Sequence, residues 1–311
     1  MAEITTQQQD KKKRLTISIS NVAPLVGLDN YGNFPRIVCE IWRRWNPAEF
    51  REFELRLKDA GHSGLANSSE MNDIWEVDDL LGTNILEQVR ALNSNTDKTS
   101  ADMTKSQALI SGYITQQTGI TEDKKAELIK KVCSITNKSH GVSNEDAILA
   151  EFCKLSYKTL QGTQGWVEIP LANDTIEWVI VGKYDGITTD GELVEAKMRQ
   201  KGLFKSMRDY ENIQVQLYLH ALGFHSGFLV EGFSKATKGK SGKTELVLYT
   251  HEVAYDASYV SEIILGRLVG FTKYFADLMQ SRERKECILK ADVSEWTKYL
   301  EEYLEIPQLD F

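Results

Sequence analysis

Two carboxylates and a lysine lie close together in the chain, on segments with the composition of neighbouring strands. Asp185 ends the run Gly-Lys-Tyr-Asp, and Glu195-Ala196-Lys197 follows after a short polar turn. Carboxylate oxygens are hard ligands that suit a divalent cation, and an ammonium beside them can act on an attacking water. These residue types indicate metal-assisted hydrolysis, provided that the fold brings Asp185 beside Glu195.

The elements that must position these residues read as a β-hairpin. The segments 176–187 and 192–198 are rich in β-branched and aromatic residues, and Thr189-Asp190-Gly191 separates them. Runs of this kind on either side of a short glycine-containing turn are typical of paired antiparallel strands. An ordinary solvated hairpin with charged residues on its wet face is the alternative interpretation.

The register of the hairpin decides between these interpretations. Side chains alternate along a strand, so Glu195 and Lys197 share a face, and Asp185 joins them only if it lies opposite Glu195. That pairing leaves a three-residue turn whose last position must tolerate positive φ, and Gly191 occupies it. The turn chemistry therefore predicts the same register that the chemistry requires.

A helix is predicted before the hairpin, with Ser143 as its N-cap and its end near Leu160. Glu145 lies in the first turn on the same side as the apolar residues Ile148 and Leu149. A buried carboxylate usually needs a cation or a hydrogen-bond donor, so this position indicates a metal ligand. The alternative is an exposed Glu145 that favours the positive end of the helix dipole.

A second helix is predicted after the hairpin, from about Tyr210 to Gly223. It carries Gln214 and Tyr218 four residues apart, and therefore on one face. A polar stripe on an amphipathic helix would show the same spacing, but here it follows the Glu-x-Lys strand within twenty residues.

In this order and spacing the motifs resemble those of the PD-(D/E)xK nucleases, and within them the lambda-type and YqaJ-like viral exonucleases, in the version found in large DNA viruses. The resemblance is carried by Gly141-x-x-x-Glu145, Gly182-x-x-Asp185-Gly186, Glu195-x-Lys197 with Arg199, and Tyr210-Glu211-x-x-Gln214-x-x-x-Tyr218. It covers about residues 140–235, and the opening segment 18–27 more loosely. Tyr184 stands where many members of the family have proline.

The resemblance implies a metal-binding set and a catalytic set. Asp185, Glu195 and the backbone carbonyl of Ala196 would bind Mg²⁺ or Mn²⁺, and Glu145 would complete the shell directly or through water. Lys197 would orient or deprotonate the attacking water, which Gln214 would help to position. Tyr218 would contact the DNA backbone or brace the site.

The formal net charge of −8 is unusual for a protein that binds DNA phosphates. The charges are, however, segregated along the chain. A basic segment with the expected DNA-binding residues Arg199, Lys201, Lys205 and Arg208 follows the Glu-x-Lys strand, whereas residues 292–311 are rich in acids. Such segregation permits a positive groove on an acidic protein.

Several other classes of protein are disfavoured. The four cysteines contain no Cys-x-x-Cys pair, which argues against zinc or iron–sulfur sites and favours a reducing compartment. No apolar run approaches the length of a membrane span, and the start is not typical of a secretory signal. The expected location is intracellular, in host cytoplasm or nucleus if the protein is viral. The segment 239–244 resembles a phosphate-binding P-loop, but that motif needs glycine at position 237, where Thr237 stands. It also needs a helix after the lysine, whereas a strand-like run follows here, so a nucleotide-hydrolysing motor is disfavoured.

The expected fold is α/β: a restriction-endonuclease-like core, with a mixed central sheet flanked by helices, and an additional helical N-terminal region. The expected segments are a basic tail at 1–14, a mainly helical region at 15–135, a nuclease core at 136–280 and an acidic helical segment at 281–311.

The resemblance implies an exonuclease that digests duplex DNA from the 5′ end, for recombination, repair or genome processing. It also implies a ring-like homo-oligomer and a single-strand annealing protein as partner. A structure-specific or restriction-like endonuclease, and a non-catalytic DNA-binding subunit on a nuclease fold, remain alternatives. Candidates for 5′-phosphate binding are Arg36, Arg43 and Arg44.

Overall fold

The computed structural model describes residues 13–29, 32–62, 100–143, 145–171, 176–236, 244–291 and 296–304. The basic tail as far as residue 12, the glycine-rich loop at 237–243 and the acidic residues beyond 304 lie outside the described residues. Among the described helices, none combines the length and hydrophobicity that a bilayer crossing needs.

The strands are β1 (Arg14–Ser18), β2 (Leu160–Leu171), β3 (Glu177–Thr188), β4 (Leu193–Arg199), β5 (Ser226–Ala236) and β6 (Thr244–Ala254). The first helices are α1 (Val22–Leu25), α2 (Phe34–Trp45), α3 (Pro47–Asp59), α4 (Ser100–Gln116), α5 (Glu122–Ser143) and α6 (Glu145–Ser156). Helix α7 (Asp209–Leu222) lies between β4 and β5, and a π-helical segment (Tyr259–Leu265), α8 (Gly266–Gln280), α9 (Arg282–Lys290) and α10 (Trp296–Glu301) follow β6.

The chain forms two compact units, each built from separated stretches of sequence. One unit contains residues 1–67, 166–182 and 256–311, and the other contains residues 68–165 and 183–255. Strand β3 runs from the first unit into the second. The segment boundaries expected from the sequence stay a prediction.

The first unit packs helices against the beginning of β3. Strand β1 pairs with this part of β3 in parallel, with Arg14 opposite Glu177 and Ser18 opposite Val181. Trp178 is fully buried and meets the ring of Phe275 edge-on, at 5.3 Å between centroids. The aromatic residues of α8 therefore supply much of this core.

The second unit contains a mixed sheet with helices on both faces. The end of β3 pairs with β4 antiparallel, β4 pairs with β5 parallel, and β5 pairs with β6 antiparallel. Helix α6 packs on one face through Ile148, Leu149 and Phe152, which contact Val194, Ala196 and Val230. Gly232 permits this close packing, because a Cβ there would lie 2.6 Å from the Ile148 side chain.

Helix α7 covers the other face, where alternation along β4 places Glu195, Lys197 and Arg199. Polar side chains therefore line one face of β4 and apolar side chains line the other. The expected α/β fold class, with a mixed central sheet flanked by helices, is confirmed.

The predicted start of α6 is wrong. Ser143 is the last residue of α5 rather than an N-cap, and α6 begins at Glu145 and ends at Ser156. The residue type of Ser143 is compatible with a cap, but Ser143 belongs to the preceding helix. Helix α7 agrees closely with its predicted limits, and Gly223 ends it in the left-handed conformation.

Candidate active site

The β3–β4 hairpin has the register that the turn chemistry predicts. Gly186 pairs with Val194 and Ile187 pairs with Leu193, so the same register places Asp185 opposite Glu195. Gly191 has a φ of 79° and its N–H donates to the carbonyl of Thr188 at 3.0 Å. The three-residue turn therefore fixes which residues meet across the hairpin.

Asp185 is held against the backbone of β4. Its Oδ2 accepts a hydrogen bond from the Ala196 N–H at 2.8 Å, and the residue is 9 % exposed. This bond fixes the orientation of the carboxylate beside Glu195. Burial raises the pKa of Asp185, although the Ala196 hydrogen bond and the Lys197 charge act in the opposite direction.

Glu195 is the most enclosed carboxylate of the site, at 2 % exposed. Its Oε1 accepts hydrogen bonds from Lys197 Nζ at 2.6 Å and from Gln214 Nε2 at 2.8 Å. Its Oε2 is buried, and no donor in the described part of the chain reaches it. One oxygen is thus anchored while the other keeps its lone pairs for another ligand.

Helix α7 supplies the polar side chains that face Glu195. Gln214 and Tyr218 lie one turn apart, and Gln214 Nε2 is 3.3 Å from the Tyr218 hydroxyl. That hydroxyl donates to the backbone carbonyl of Lys183 at 2.7 Å. Tyr218 therefore braces α7 against β3, close to Asp185.

Tyr184, which immediately precedes Asp185, has a packing role. Its ring meets Tyr218 edge-on at 6.5 Å between centroids. Gly165 gives it room, because a Cβ at that position would lie 2.0 Å from the Tyr184 hydroxyl oxygen. The Tyr184 side chain is thus accommodated by a glycine on the adjacent strand β2.

Glu145 is half-buried at the start of α6 and is coupled to the same charges. Burial raises its pKa to about 7, and the neighbouring Asp185 adds to the rise, whereas Lys197 opposes it. This partial burial agrees with the prediction that Glu145 faces the apolar side of its helix.

Burial raises the pKa of the carboxyl groups of the site. Burial raises the pKa of Glu195 to about 8, and repulsion from Asp185 and Glu145 contributes to the rise while Lys197 opposes it. For Lys197, burial alone would lower the pKa, but the Glu195 carboxylate raises it above its ordinary value. Near neutral pH the site therefore contains a charged ammonium among carboxyl groups that resist losing their protons.

The donor set suits a hard cation such as Mg²⁺ or Mn²⁺, which prefers oxygen ligands. The Oε2 of Glu195 is buried and no donor among the described residues reaches it. A cation there would offset the burial that raises the pKa of Asp185 and of Glu195, and the repulsion by Asp185 that adds to the rise at Glu195. Across the described ranges, no three His, Cys, Asp or Glu side chains form a cluster that is already suited to hold a metal. Asp185 and Glu195 are the two carboxylates that the hairpin brings together, and both are buried.

The expected DNA-binding residues have different environments. Lys201, Lys205 and Arg208 are exposed on the loop after β4, whereas Arg199 is only 8 % exposed. Arg199 forms ion pairs with Glu211 at 2.7 Å and with Glu231 at 3.3 Å. This placement differs from the expectation of a DNA contact, because the alternation that exposes Lys197 to the site turns Arg199 under helix α7.

The sequence reasoning missed the buried network around Arg199. Glu231 on β5 is fully buried, and it accepts from the Phe204 N–H at 2.7 Å and lies 2.9 Å from His251 Nε2. Its pKa is lowered, because these hydrogen bonds and Arg199 outweigh the effect of burial. A single glutamate inside the apolar run 228–233 was the signal that could have revealed it.

The arginines considered for a 5′ phosphate already have partners within their own unit. Arg36 pairs with Glu40 at 2.9 Å, Arg44 donates to Thr16 Oγ1 at 2.8 Å, and Arg43 lies over the ring of Phe50. These contacts give all three arginines a structural role in the first unit.

Comparison with known proteins found no matching family model and no matching curated protein. Among solved structures, the chain is similar to an alkaline exonuclease (LHK-Exo) from Laribacter hongkongensis, with 12 % identity and a TM-score of 0.34 over 62 % of this chain and 90 % of that chain. The same exonuclease in complex with dAMP gives the same identity and TM-score. A structure described as SSO0001 has 12 % identity and a TM-score of 0.32, over 63 % of this chain and 85 % of that chain. At TM-scores of this size the matches do not by themselves assign an activity to the chain.

Proposed function

We propose that this protein is a metal-dependent deoxyribonuclease whose active site is formed by Asp185, Glu195, Lys197 and Gln214. The observation that supports this most strongly is the buried Oε2 of Glu195, which no donor among the described residues reaches and which lies beside a second carboxylate. An ordinary solvated hairpin would leave both carboxylates in water.

Different residues of the site would have different roles in phosphodiester hydrolysis. When bound, Mg²⁺ or Mn²⁺ would stabilise the charge that develops on the phosphate and lower the pKa of water. Asp185 and Glu195 would hold the cation, together with the backbone carbonyl of Ala196, and Glu145 would act through water.

Lys197 and Gln214 would orient the nucleophile and the phosphate. Lys197 is charged near neutral pH because the adjacent carboxylates raise its pKa. It therefore donates hydrogen bonds to the water or to a phosphate oxygen rather than removing a proton. Gln214 reaches the same oxygen of Glu195 and holds that carboxylate in place.

The finer activity that we propose is exonucleolytic digestion of duplex DNA from the 5′ end. The resemblance to lambda-type exonucleases supports this polarity, as it supports a ring-like homo-oligomer and a single-strand annealing partner. The exposed Lys201, Lys205 and Arg208 beside the site support binding to an anionic polymer. The presence together of Asp185, Glu195, Lys197 and Gln214 argues against a purely non-catalytic subunit, because the fold does not require that combination.

The test is digestion of linear duplex DNA labelled separately at its 5′ and 3′ ends, with Mg²⁺ or with EDTA, beside a covalently closed circle. We expect Mg²⁺-dependent early release of the 5′ label from linear DNA and no loss of the circle. Cutting of the circle would instead favour an endonuclease. Binding without cleavage of any substrate would reject the nuclease.

A further inference from the structure

The loop after β4 contains an aromatic ring in contact with two guanidinium groups. The Cζ of Arg199 lies 4.2 Å from the centroid of the Phe204 ring, and the Cζ of Arg208 lies 4.8 Å from it. Planar guanidinium groups stack favourably on aromatic rings. We call these three residues, Arg199, Phe204 and Arg208, the guanidinium–phenyl stack.

Arg199, at the inner end of the stack, is held in place by ion pairs. Arg199 is buried between the carboxylates of Glu211 and Glu231. The backbone N–H of Phe204 donates to the other oxygen of Glu231 at 2.7 Å. The ring is therefore anchored from below both by its backbone and by the side chain of Arg199.

The outer end of the stack carries an exposed positive charge. Arg208 is exposed, and in the residues that the structure describes no carboxylate forms an ion pair with its guanidinium. Its backbone N–H donates to Glu211 Oε2 at 3.4 Å, which ties the residue to the start of α7. A guanidinium held in one orientation without a carboxylate partner suits a phosphate, to which its planar fork can donate two hydrogen bonds.

The position of Arg208 relative to the site is set by helix α7. Gln214, which contacts Glu195, follows Arg208 by six residues, which corresponds to about 9 Å along the helix axis. Nucleotides of one DNA strand are spaced about 3.4 Å apart along the duplex axis. The stack thus lies within about three nucleotides of a phosphate held at Glu195.

We propose that Arg208 binds a backbone phosphate within about three nucleotides of the scissile one, and that Phe204 orients its guanidinium for this contact. The proposal rests on the proposed function in taking DNA as the substrate. Phe204 has a positioning role, Arg199 supports the stack from the buried side, and Arg208 contacts the nucleic acid. Lys201 and Lys205 would contribute charge without a fixed geometry.

The experiment is binding of a fluorescein-labelled 20-base-pair duplex in EDTA, measured by fluorescence anisotropy from about 50 to 200 mM KCl. The variants are Arg208→Ala, Arg208→Lys, Phe204→Leu and the double variant Phe204→Leu/Arg208→Ala. Lys154→Ala, which removes an exposed charge from α6, is the matched control. Thermal unfolding of each variant shows whether its fold is retained.

We expect Arg208→Ala to weaken binding roughly tenfold at the lowest salt and to reduce the slope of log Kd against log salt by about 1. Arg208→Lys and Phe204→Leu should each weaken binding several-fold, because both lose the stacked geometry while keeping the charge. Adding Phe204→Leu to Arg208→Ala should cause no further loss, and Lys154→Ala should bind as the wild type does.

If the loss of affinity in the double variant equalled the product of the losses in Phe204→Leu and Arg208→Ala, the two residues would act independently. That result would overturn the positioning role of Phe204. If Arg208→Ala bound DNA with the affinity and the salt slope of the wild type, the phosphate contact would be overturned. Arg208→Lys tests the same contact while the Phe204 side chain is unchanged. Cleavage by the wild type with Mg²⁺ is assayed in parallel. Cleavage by the wild type with no effect of Arg208→Ala on binding rejects this inference alone. The expected binding losses without any cleavage support the contact of Arg208 with a DNA phosphate and reject the nuclease.

Discussion

At the scale of single residues, Glu195 has two oxygens in different surroundings. Oε1 is fixed by Lys197 and Gln214, while Oε2 is buried without a donor among the described residues. An unpaired buried carboxylate oxygen is unfavourable unless something compensates its charge. This asymmetry is what a metal-binding carboxylate requires, and it distinguishes Glu195 from Glu192 on the same hairpin, which pairs with Lys158.

Lys197 gives the first prediction. Lys197→Met removes the ammonium while keeping most of the side-chain volume, and we expect the rate of Mg²⁺-dependent DNA cleavage to fall by at least about 100-fold. The physical reason is the loss of a positive charge and hydrogen-bond donor next to the attacked phosphate. The measurement is single-turnover cleavage of linear duplex DNA.

Lys158→Met is the matched control for this prediction. Lys158 makes its ion pairs with Asp190 and Glu192 at the turn of the same hairpin. It should cleave at a rate within about twofold of the wild type, since surface ion pairs contribute little to stability. Equal losses in the two lysine variants would contradict a specific role for Lys197.

At the scale of elements, the hairpin turn determines the alignment of Asp185 with Glu195. Gly191 has a φ of 79°, and a Cβ there would meet no other atom. We therefore expect Gly191→Ala to destabilise the protein by about 1 kcal/mol through backbone strain alone. Denaturant unfolding measures this effect.

Gly162→Ala is the control for the turn. Gly162 also has open space around its Cβ position, but it does not have positive φ. Its substitution should be neutral or slightly stabilising, because alanine restricts the unfolded chain. If both alanine variants lost the same stability, the left-handed turn would not be the cause.

Much of the hairpin and of α7 could be predicted from the sequence, because their signals are local. The turn glycine, the alternation along β4 and the four-residue spacing of Gln214 and Tyr218 each act within a few residues. The start of α6 was misplaced, because the polar residues suited to a cap also fit the end of α5. Local patterns do not determine where one helix ends and the next begins.

The sequence signals a buried Glu231, but the pairing of Arg199 with its partners could not be predicted, for a different reason. Its partners, Glu211 on α7 and Glu231 on β5, meet Arg199 only through the parallel pairing of β4 with β5 and the packing of α7. Neither the pairing partner nor its register can be read from spacing along the chain. Arg199 therefore had the sequence pattern of a surface residue in a basic segment.

Arg199 gives a prediction about the elements it joins. Arg199→Ala would leave the carboxylates of Glu211 and Glu231 buried without their shared cation, so we expect a loss of about 3–5 kcal/mol in the free energy of unfolding. Urea unfolding would detect it. Lys201→Ala, which removes an exposed charge two residues later, should change stability by no more than about 0.5 kcal/mol. A similar, small effect of both substitutions would show that the network contributes no specific stability.

At the scale of the whole molecule, the residues of the proposed site all belong to one compact unit, formed by residues 68–165 and 183–255. Its carboxylates are gathered in a chain with a net charge of −8. Burying these carboxyl groups close together costs free energy, which the rest of the fold must offset. The molecule should therefore respond to pH and to divalent cations together.

The metal-free protein should lose stability as the pH rises from about 5 to about 8. The folded-state pKa is raised to about 7 for Glu145 and about 8 for Glu195, so the folded protein binds more protons than the unfolded chain across this window. Unfolding is then favoured as the pH rises through these values. Thermal unfolding in EDTA should show a lower Tm at pH 8.5 than at pH 6.

Mg²⁺ should reverse part of this loss. A cation binds the deprotonated carboxylates, so the increase in Tm on adding Mg²⁺ should be larger at pH 8.5 than at pH 6. Asp185→Asn should reduce this Mg²⁺-dependent increase, whereas Glu192→Gln should not. A Tm that is independent of both pH and Mg²⁺ would contradict the proposed coupling of the carboxylates to a metal.

The measurement that tests the central claim most directly is single-turnover cleavage of linear duplex DNA by the wild type, Glu195→Gln and Glu192→Gln, over a titration of Mg²⁺. The same chemical change is made on the same hairpin, inside and outside the site. We predict Mg²⁺-dependent cleavage by the wild type and by Glu192→Gln, and at least a 100-fold loss for Glu195→Gln. Equal cleavage by all three proteins, or no cleavage by the folded wild type at any Mg²⁺ concentration, would contradict the assignment of this site as a metal-dependent nuclease.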